Sequence, residues 1–138
     1  MASRLTTMLV VDANIMISAM LGQTLPLLEE QAERGIILAA PEAQFTETRK
    51  ILDRLGVEAI EERMADLMDI IEPIDPALFA HFEDRACERL EPRGRPDWPV
   101  LAAAMALEAD IWSHDRDFFG VGVPVWSSRN IRHAESAA

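Results

Sequence analysis

The chain has 138 residues, of which 49% are apolar, and its 13 basic and 24 acidic side chains give a net charge of −11. A chain of this length buries about two-thirds of its unfolded surface in one domain. We therefore expect a single domain over residues 1–138 with an ordered core at about 5–133. The only cysteine, Cys87, excludes an intramolecular disulfide framework.

No membrane-spanning or targeting segment is expected. The longest stretch without a charged residue, 13–28, contains Asn14 and Pro26 and is shorter than the roughly 20 apolar residues that cross a bilayer. The N-terminus lacks the pattern of a signal peptide. We expect a cytoplasmic protein with no membrane partner.

The first half of the chain alternates strand and helix patterns. "MLVV", residues 8–11, is a short Val-rich apolar run that predicts a strand buried on both faces. Asn14 is expected to cap a helix to about Leu21. The remaining predicted elements of this half are a helix from Pro26 to Gly35, a strand at 35–41, a helix from Pro41 to about Leu55 and a helix over 57–69.

The second half continues the alternation. "IIEPI", residues 70–74, predicts an edge strand because of Pro73. The elements predicted after it are a helix from Pro76 to about Leu90, a loop over 91–99, an Ala-rich helix over 100–109, and strands at 110–113 and 123–127. Strands alternating with helices indicate an α/β fold, with a mostly parallel sheet covered by helices on both sides.

Acidic residues follow the predicted strands at the end where parallel sheets bind ligands. Asp12 follows the first strand, Asp115 follows "DIWS", Asp97 precedes the Ala-rich helix and Glu47 lies on the helix after the second strand. Each has a plainer reading: Asp12 as a turn residue, Asp97 and Asp115 as caps, and Glu47 as a surface side chain.

Considered together, the four acids predict a metal site. Two carboxylates about 5 Å apart repel by about 3 kcal/mol at an effective dielectric near 20, so a folded cluster needs a compensating cation. Mg²⁺ accepts a few carboxylates and leaves positions for water and phosphate oxygens. The expected cofactor is a hard divalent ion, Mg²⁺ in particular, which can lower the pKa of a bound water molecule at a phosphodiester.

The net charge of −11 opposes a nucleic-acid substrate, because phosphate contacts need basic side chains. Arginine is nevertheless suited to bidentate phosphate binding, and Arg85, Arg89, Arg93 and Arg95 lie close together in the sequence. The sequence leaves two readings of this cluster open: a solvated helix face interleaved with glutamates, or a phosphate-binding patch.

Three segments resemble the PIN-domain nucleases, including the VapC-type toxins of toxin-antitoxin pairs: "VVDANIMIS", "PEAQFTETRKIL" and "PDWPVLAAAMALEADIWSHDRDF". The similarity extends from about Met8 to Ile131. It implies a Rossmann-like three-layer α/β/α sandwich and Mg²⁺- or Mn²⁺-dependent hydrolysis of RNA. The implied catalytic and metal-binding residues are Asp12, Glu47, Asp97 and Asp115.

The resemblance also implies supporting residues and partners. Ser113 stands where the family usually has Thr and keeps the hydroxyl, and Asn14 and Asp117 are further candidates near the metal. A homodimer and an antitoxin protein partner are implied as well.

Two other functions compete with this hypothesis. A catalytically silent PIN-like module would bind RNA or a protein without chemistry. A phosphoryl-accepting or phosphatase domain with Asp12 as nucleophile fits poorly. A response-regulator receiver would need a lysine at a late strand end, whereas the only lysine, Lys50, lies on a predicted helix. A haloacid-dehalogenase-like enzyme would need a second acid at position 14, where Asn14 stands.

Overall fold

A five-stranded parallel sheet organises the chain, for which a computed structural model describes residues 6–134. Its strand order is β3-β2-β1-β4-β5, and every neighbouring pair is parallel. The predicted parallel sheet is confirmed, and the Pro73-containing strand lies at its edge. The strands are β1 (Met8–Val11), β2 (Ile37–Pro41), β3 (Glu72–Ile74), β4 (Asp110–Trp112) and β5 (Val125–Trp126).

Within the described part of the chain, six helices connect the strands and cover the sheet. They are α1 (Ala13–Met20), α2 (Leu25–Glu33), α3 (Glu42–Arg54), α4 (Ile60–Ile70), α5 (Glu83–Arg89) and α6 (Trp98–Leu107). Short 3-10 segments lie at Pro76–Leu78, Ala80–Phe82, Pro92–Asp97, Arg116–Phe118 and Ile131–His133. Within residues 6–134, no helix has the length and apolar character needed to span a membrane.

Two hydrophobic cores, one on each face of the sheet, complete the three-layer sandwich. Successive side chains of β1 alternate between them: Leu9 and Val11 pack with α1 to α4, and Val10 packs with α5 and α6. This alternation follows from the two-residue period of a strand. Because both faces are covered, the buried strands read as continuous apolar runs in the sequence.

The start of α1 corrects one prediction. Asn14 is not its N-cap; Asp12 has extended backbone angles and accepts a hydrogen bond from the N–H of Ala13. The helix therefore begins earlier than expected, because an Asp side chain satisfies an orphan N–H as well as Asn does.

The segment between β3 and α6 also differs from the prediction. The helix expected from Pro76 to Leu90 is divided into two 3-10 segments and α5. Phe79 leaves the helical conformation, with φ of −134°, and its side chain is buried against Trp98 at a ring-centroid distance of 5.9 Å.

Residues 92–97, expected to be a loop, form a 3-10 segment. The expected start of the ordered core, residue 5, lies outside the described range.

Candidate metal centre

The candidate site lies where the order of the strands switches direction. The chain proceeds from β1 outward to β2 and β3, then crosses to β4 on the other side of β1. In open parallel sheets, ligands bind in the crevice that such a switch leaves at the carboxyl ends of the strands. Asp12 follows β1 directly and Ser113 follows β4 directly.

A cavity of about 200 Å³ opens at this point. Its lining includes Asp12, Glu47, Asp97 and Asp115, which come from the end of β1, α3, the start of α6 and the turn after β4. Apolar and amide side chains from α1 and α3 complete the wall, and none of the described lining residues is basic. The structure therefore brings together the four acids that the sequence singled out.

Asp12 is the most deeply buried acid of the cavity, with 4% of its surface exposed. Its Oδ1 accepts from the N–H of Ala13 at 2.8 Å. Its Oδ2 accepts from Ser113 Oγ at 2.6 Å and from Asn14 Nδ2 at 3.2 Å. These hydrogen bonds hold the carboxylate in one orientation.

Ser113 and Asn14 join the turn after β1 to the turn after β4. Ser113 Oγ donates to Asp12 and accepts from the N–H of Asp115 at 2.9 Å. Asn14 Oδ1 accepts from the N–H of His114 at 3.4 Å. The hydroxyl of Ser113 thus contacts two segments that each carry an acid of the cavity.

Asp97 precedes α6, yet its side chain makes no capping hydrogen bond to that helix. The plainer reading of Asp97 as a cap is therefore wrong. The residue is half-buried and lines the cavity. It ends the 3-10 segment Pro92–Asp97 and shares the cavity with Asp12 and Asp115.

Asp115 and Asp117 have different roles in one short turn. Asp115 Oδ1 accepts from the N–H of Asp117 at 2.9 Å, so Asp115 caps the 3-10 turn and also lines the cavity. Asp117 is not among the lining residues. Its Oδ1 accepts from Arg93 Nε at 2.9 Å.

Glu47 is exposed on α3 and reaches the cavity from its rim. One turn earlier, the buried Gln44 accepts a hydrogen bond from the N–H of Ala13 through Oε1 at 2.8 Å. Gln44 therefore ties α3, which carries Glu47, to the residue after Asp12. Sequence reasoning missed Gln44, although its position on the same helical face as Glu47 could have suggested it.

The electrostatics of the cavity disfavour four free carboxylates. Burial raises the pKa of Asp12; the hydrogen bonds from Ser113 and the N–H of Ala13 oppose this, and the charges of Asp115 and Glu47 add to it. Burial also raises the pKa of Asp97 to about 6, and the negative charges of Asp12 and Glu47 contribute further. A divalent cation would relieve both effects.

The donor set fits a hard cation. Carboxylate oxygens are the ligands that Mg²⁺ and Mn²⁺ take in proteins. Among residues 6–134, no three His, Cys, Asp or Glu side chains already stand close enough to form a metal-ligand cluster. The four acids share a cavity but do not form a closed ligand set.

The structure divides the arginine cluster between two regions. Arg85 and Arg89 line a larger cavity of about 720 Å³, which also includes Ala109 and Pro124, the residues preceding β4 and β5. That cavity is therefore at the amino ends of the strands, away from the acids. Arg93 binds Asp117, and Arg95 Nε donates to the carbonyl of Cys87 at 3.3 Å. The four residues do not form one phosphate-binding patch.

Comparison with known proteins identifies the family. The chain matches the PIN domain over residues 10–136 and therefore belongs to the PIN-domain family, which confirms the resemblance inferred from the sequence motifs. Among solved structures, it is similar to a toxin-antitoxin complex from Klebsiella pneumoniae, with a TM-score of 0.65 and 18% sequence identity. That match covers 87% of this chain and 97% of the other. A search of curated proteins finds no match.

Proposed function

We propose that the protein is a Mg²⁺- or Mn²⁺-dependent endoribonuclease. The observation that supports this most strongly is the convergence of four acids from separate segments on one cavity at the switch point of the sheet. The raised pKa of Asp97 means that its carboxylate form is destabilised in the cavity, and a bound cation would stabilise that form. Membership of the PIN-domain family supports nuclease chemistry.

The proposed roles follow from the contacts. Asp12, Glu47, Asp97 and Asp115 would hold the ion. A bound Mg²⁺ or Mn²⁺ would supply Lewis acidity at the phosphate and lower the pKa of a water molecule. Ser113 keeps Asp12 oriented through the 2.6 Å hydrogen bond to Oδ2, and Asn14 holds the two turns together.

We further propose that the protein acts in the cytoplasm as the toxin of a toxin-antitoxin pair, as a homodimer and with an antitoxin protein as partner. The support is the likeness to the fold of a chain in the toxin-antitoxin complex from Klebsiella pneumoniae. Co-expression with the product of an adjacent small gene, followed by co-purification and measurement of mass in solution, tests the partner and the dimer together.

An RNA cleavage assay tests the nuclease. Wild type should cut RNA in Mg²⁺ or Mn²⁺ and stop in excess chelator, and Asp12→Asn or Asp97→Asn should abolish cleavage. Asp66→Asn is a matched control, since Asp66 is exposed on α4 and far in sequence from the cavity residues. Unchanged cleavage by either cavity variant would refute the proposal.

The alternative, a catalytically silent module that binds RNA or a protein, predicts a different result. Such a module has no reason to take up Mn²⁺ at the four acids. Calorimetric titration with Mn²⁺ separates the two functions. Saturable uptake by wild type that is lost in Asp97→Asn supports the nuclease, and no uptake by wild type supports the silent module.

A further inference from the structure

Arg93 lies on the 3-10 segment that ends at the cavity residue Asp97, and most of its side chain is in solvent. The exposed fractions are 79% for its side chain and 15% for that of its ion-pair partner Asp117. Only the Nε of Arg93 is engaged, by Asp117 Oδ1 at 2.9 Å. Within residues 6–134, no hydrogen bond or ion pair occupies the Nη1 and Nη2 groups of Arg93.

Asp117 is held firmly from the cavity side. Its N–H donates to Oδ1 of Asp115. Asp117 packs closely against the buried Gly94: a Cβ atom added at Gly94 would lie 3.0 Å from the Cβ of Asp117. Any residue larger than glycine at position 94 would therefore displace Asp117. Gly94 lies on the same 3-10 segment as Asp97, three residues before it. The pair Arg93–Asp117 thus joins the segment that ends at Asp97 to the turn that begins at Asp115.

We infer that Arg93 binds a phosphate group of the RNA beside the metal cavity, and that Asp117 is a positioning residue that orients its guanidinium rather than a ligand of the metal. This inference rests on the proposed function. A guanidinium held through Nε presents both Nη groups as a fork, which matches two oxygens of one phosphate.

Within residues 6–134, the arginines next to Arg93 and Asp117 in these segments are not held through Nε by a carboxylate. Arg116 lies between Asp115 and Asp117 and is exposed, but no carboxylate within residues 6–134 holds it. Arg95 is on the same 3-10 segment as Arg93, and its Nε is bound to the carbonyl of Cys87. Arg95 lines a separate cavity with Asp84 and Glu88. It therefore serves as the matched control for Arg93.

The first experiment measures RNA binding in an Asp97→Asn background, which on the proposed function prevents cleavage. The probe is a fluorescein-labelled single-stranded RNA of mixed sequence, followed by fluorescence anisotropy. Adding Arg93→Ala should weaken binding about tenfold and lower the slope of log affinity against log salt by roughly 0.7. Adding Arg95→Ala should weaken binding less than about threefold. Equal effects of the two substitutions would overturn the inference.

The second experiment separates positioning from metal binding at Asp117. Asp117→Asn and Asp117→Ala remove the same charge, but Asn keeps an oxygen that can accept from Arg93 Nε. RNA binding should be at least about threefold stronger in the Asn variant than in the Ala variant. Mn²⁺ affinity measured by calorimetry, with Asp97 intact, should stay within about threefold of wild type for Asp117→Asn. A loss of more than about tenfold would instead identify Asp117 as a ligand.

Failure of the proposed function can be distinguished from failure of the inference about Arg93. RNA cleavage by Asp97→Asn, or no Mn²⁺ uptake by wild type, refutes the metal-dependent nuclease. The anisotropy comparison of Arg93→Ala with Arg95→Ala still decides whether Arg93 contacts RNA. A protein that takes up Mn²⁺ and cleaves RNA, but responds equally to both arginine substitutions, refutes only the inference about Arg93.

Discussion

Asp12 uses its two carboxylate oxygens for different purposes. Oδ1 caps α1, and Oδ2 accepts hydrogen bonds from Ser113 and Asn14. Oδ1 accepts one hydrogen bond, from the N–H of Ala13, and therefore retains a lone pair, while the carboxylate lines the cavity. A structural role and a proposed metal-binding role are therefore compatible in one residue at the exit of a buried strand.

Asp97 offers the cleanest test of charge repulsion in the cavity, because its side chain has no capping bond to lose. In chelator at pH 7.5, Asp97→Asn is expected to raise the free energy of unfolding by about 1–2 kcal/mol. A shift of the pKa from 3.8 to about 6 corresponds to roughly 3 kcal/mol, and partial exposure of the side chain reduces this.

The pH dependence of this gain follows from the direction of the shift. The raised pKa means that the folded protein holds the proton more tightly than the unfolded chain. The destabilisation of wild type by the ionised Asp97 is therefore complete above the folded pKa of about 6. It shrinks as the pH falls through that value and is absent below about pH 4. Urea unfolding at pH 4, 5.5 and 7.5, with Asp66→Asn as control, measures the gain in unfolding free energy of Asp97→Asn over wild type. A pH-independent gain would contradict the prediction.

A substitution at Ser113 tests whether its hydroxyl group stabilises the cavity. Ser113→Ala removes the donor to Asp12 Oδ2 and the acceptor for the N–H of Asp115. Because both groups are at least partly buried, we expect a loss of about 1–2 kcal/mol in unfolding free energy. Mn²⁺ affinity should fall about tenfold. Urea unfolding and calorimetry measure the two effects.

Ser113→Thr is the matched control, since it keeps the hydroxyl and adds one methyl group. It should retain most of the stability and Mn²⁺ affinity of wild type. If the Thr and Ala variants lose Mn²⁺ affinity equally, the hydroxyl is not what supports Asp12.

At the scale of elements, α6 determines how closely the helical layer approaches the sheet. Ala102, Ala103 and Ala104 are essentially fully buried, and α6 contacts β1, β2 and β4. Small side chains let a helix backbone lie near a sheet. The residue before α6, Asp97, lines the same cavity as Asp12.

A larger side chain should separate these layers. Ala103→Leu is expected to lower the unfolding free energy by about 3 kcal/mol, because three added carbons overpack a closed interface. Ala106→Leu, at a half-buried position of the same helix, should cost less than about 1 kcal/mol. Urea unfolding compares the two variants. Similar losses would show that α6 does not limit the approach to the sheet.

At the scale of the whole molecule, metal binding should be coupled to folding. The chain has a net charge of −11, and a cation that binds only the folded cavity stabilises it by mass action. At a Mn²⁺ concentration of 100 times its Kd, the free energy of unfolding should rise by about 2.7 kcal/mol.

Thermal unfolding with and without Mn²⁺ measures this coupling. Asp12→Asn and Asp97→Asn should lose most of the stabilisation, and Asp66→Asn should keep it. If the cavity variants are stabilised as much as wild type, Mn²⁺ binds elsewhere on the acidic surface.

Most of the elements and the candidate acids could be predicted from the amino-acid sequence alone. Apolar runs and helical periodicity depend on neighbours in the chain, so the buried strands, the edge strand with Pro73 and the Ala-rich helix could be predicted. The positions of Asp12 and Asp115 after predicted strands follow from the same local pattern. The break at Phe79 could not be predicted, because it depends on the burial of the ring beside Trp98.

The contacts between distant side chains, in contrast, depend on how the chain packs in three dimensions. Gln44 reaches the N–H of Ala13, Ser113 reaches Asp12, and Arg93 reaches Asp117, and each contact joins segments that are separated in sequence. Such contacts depend on the order β3-β2-β1-β4-β5 and on which face each helix covers. These are properties of packing across the sheet, and local periodicity carries no information about them.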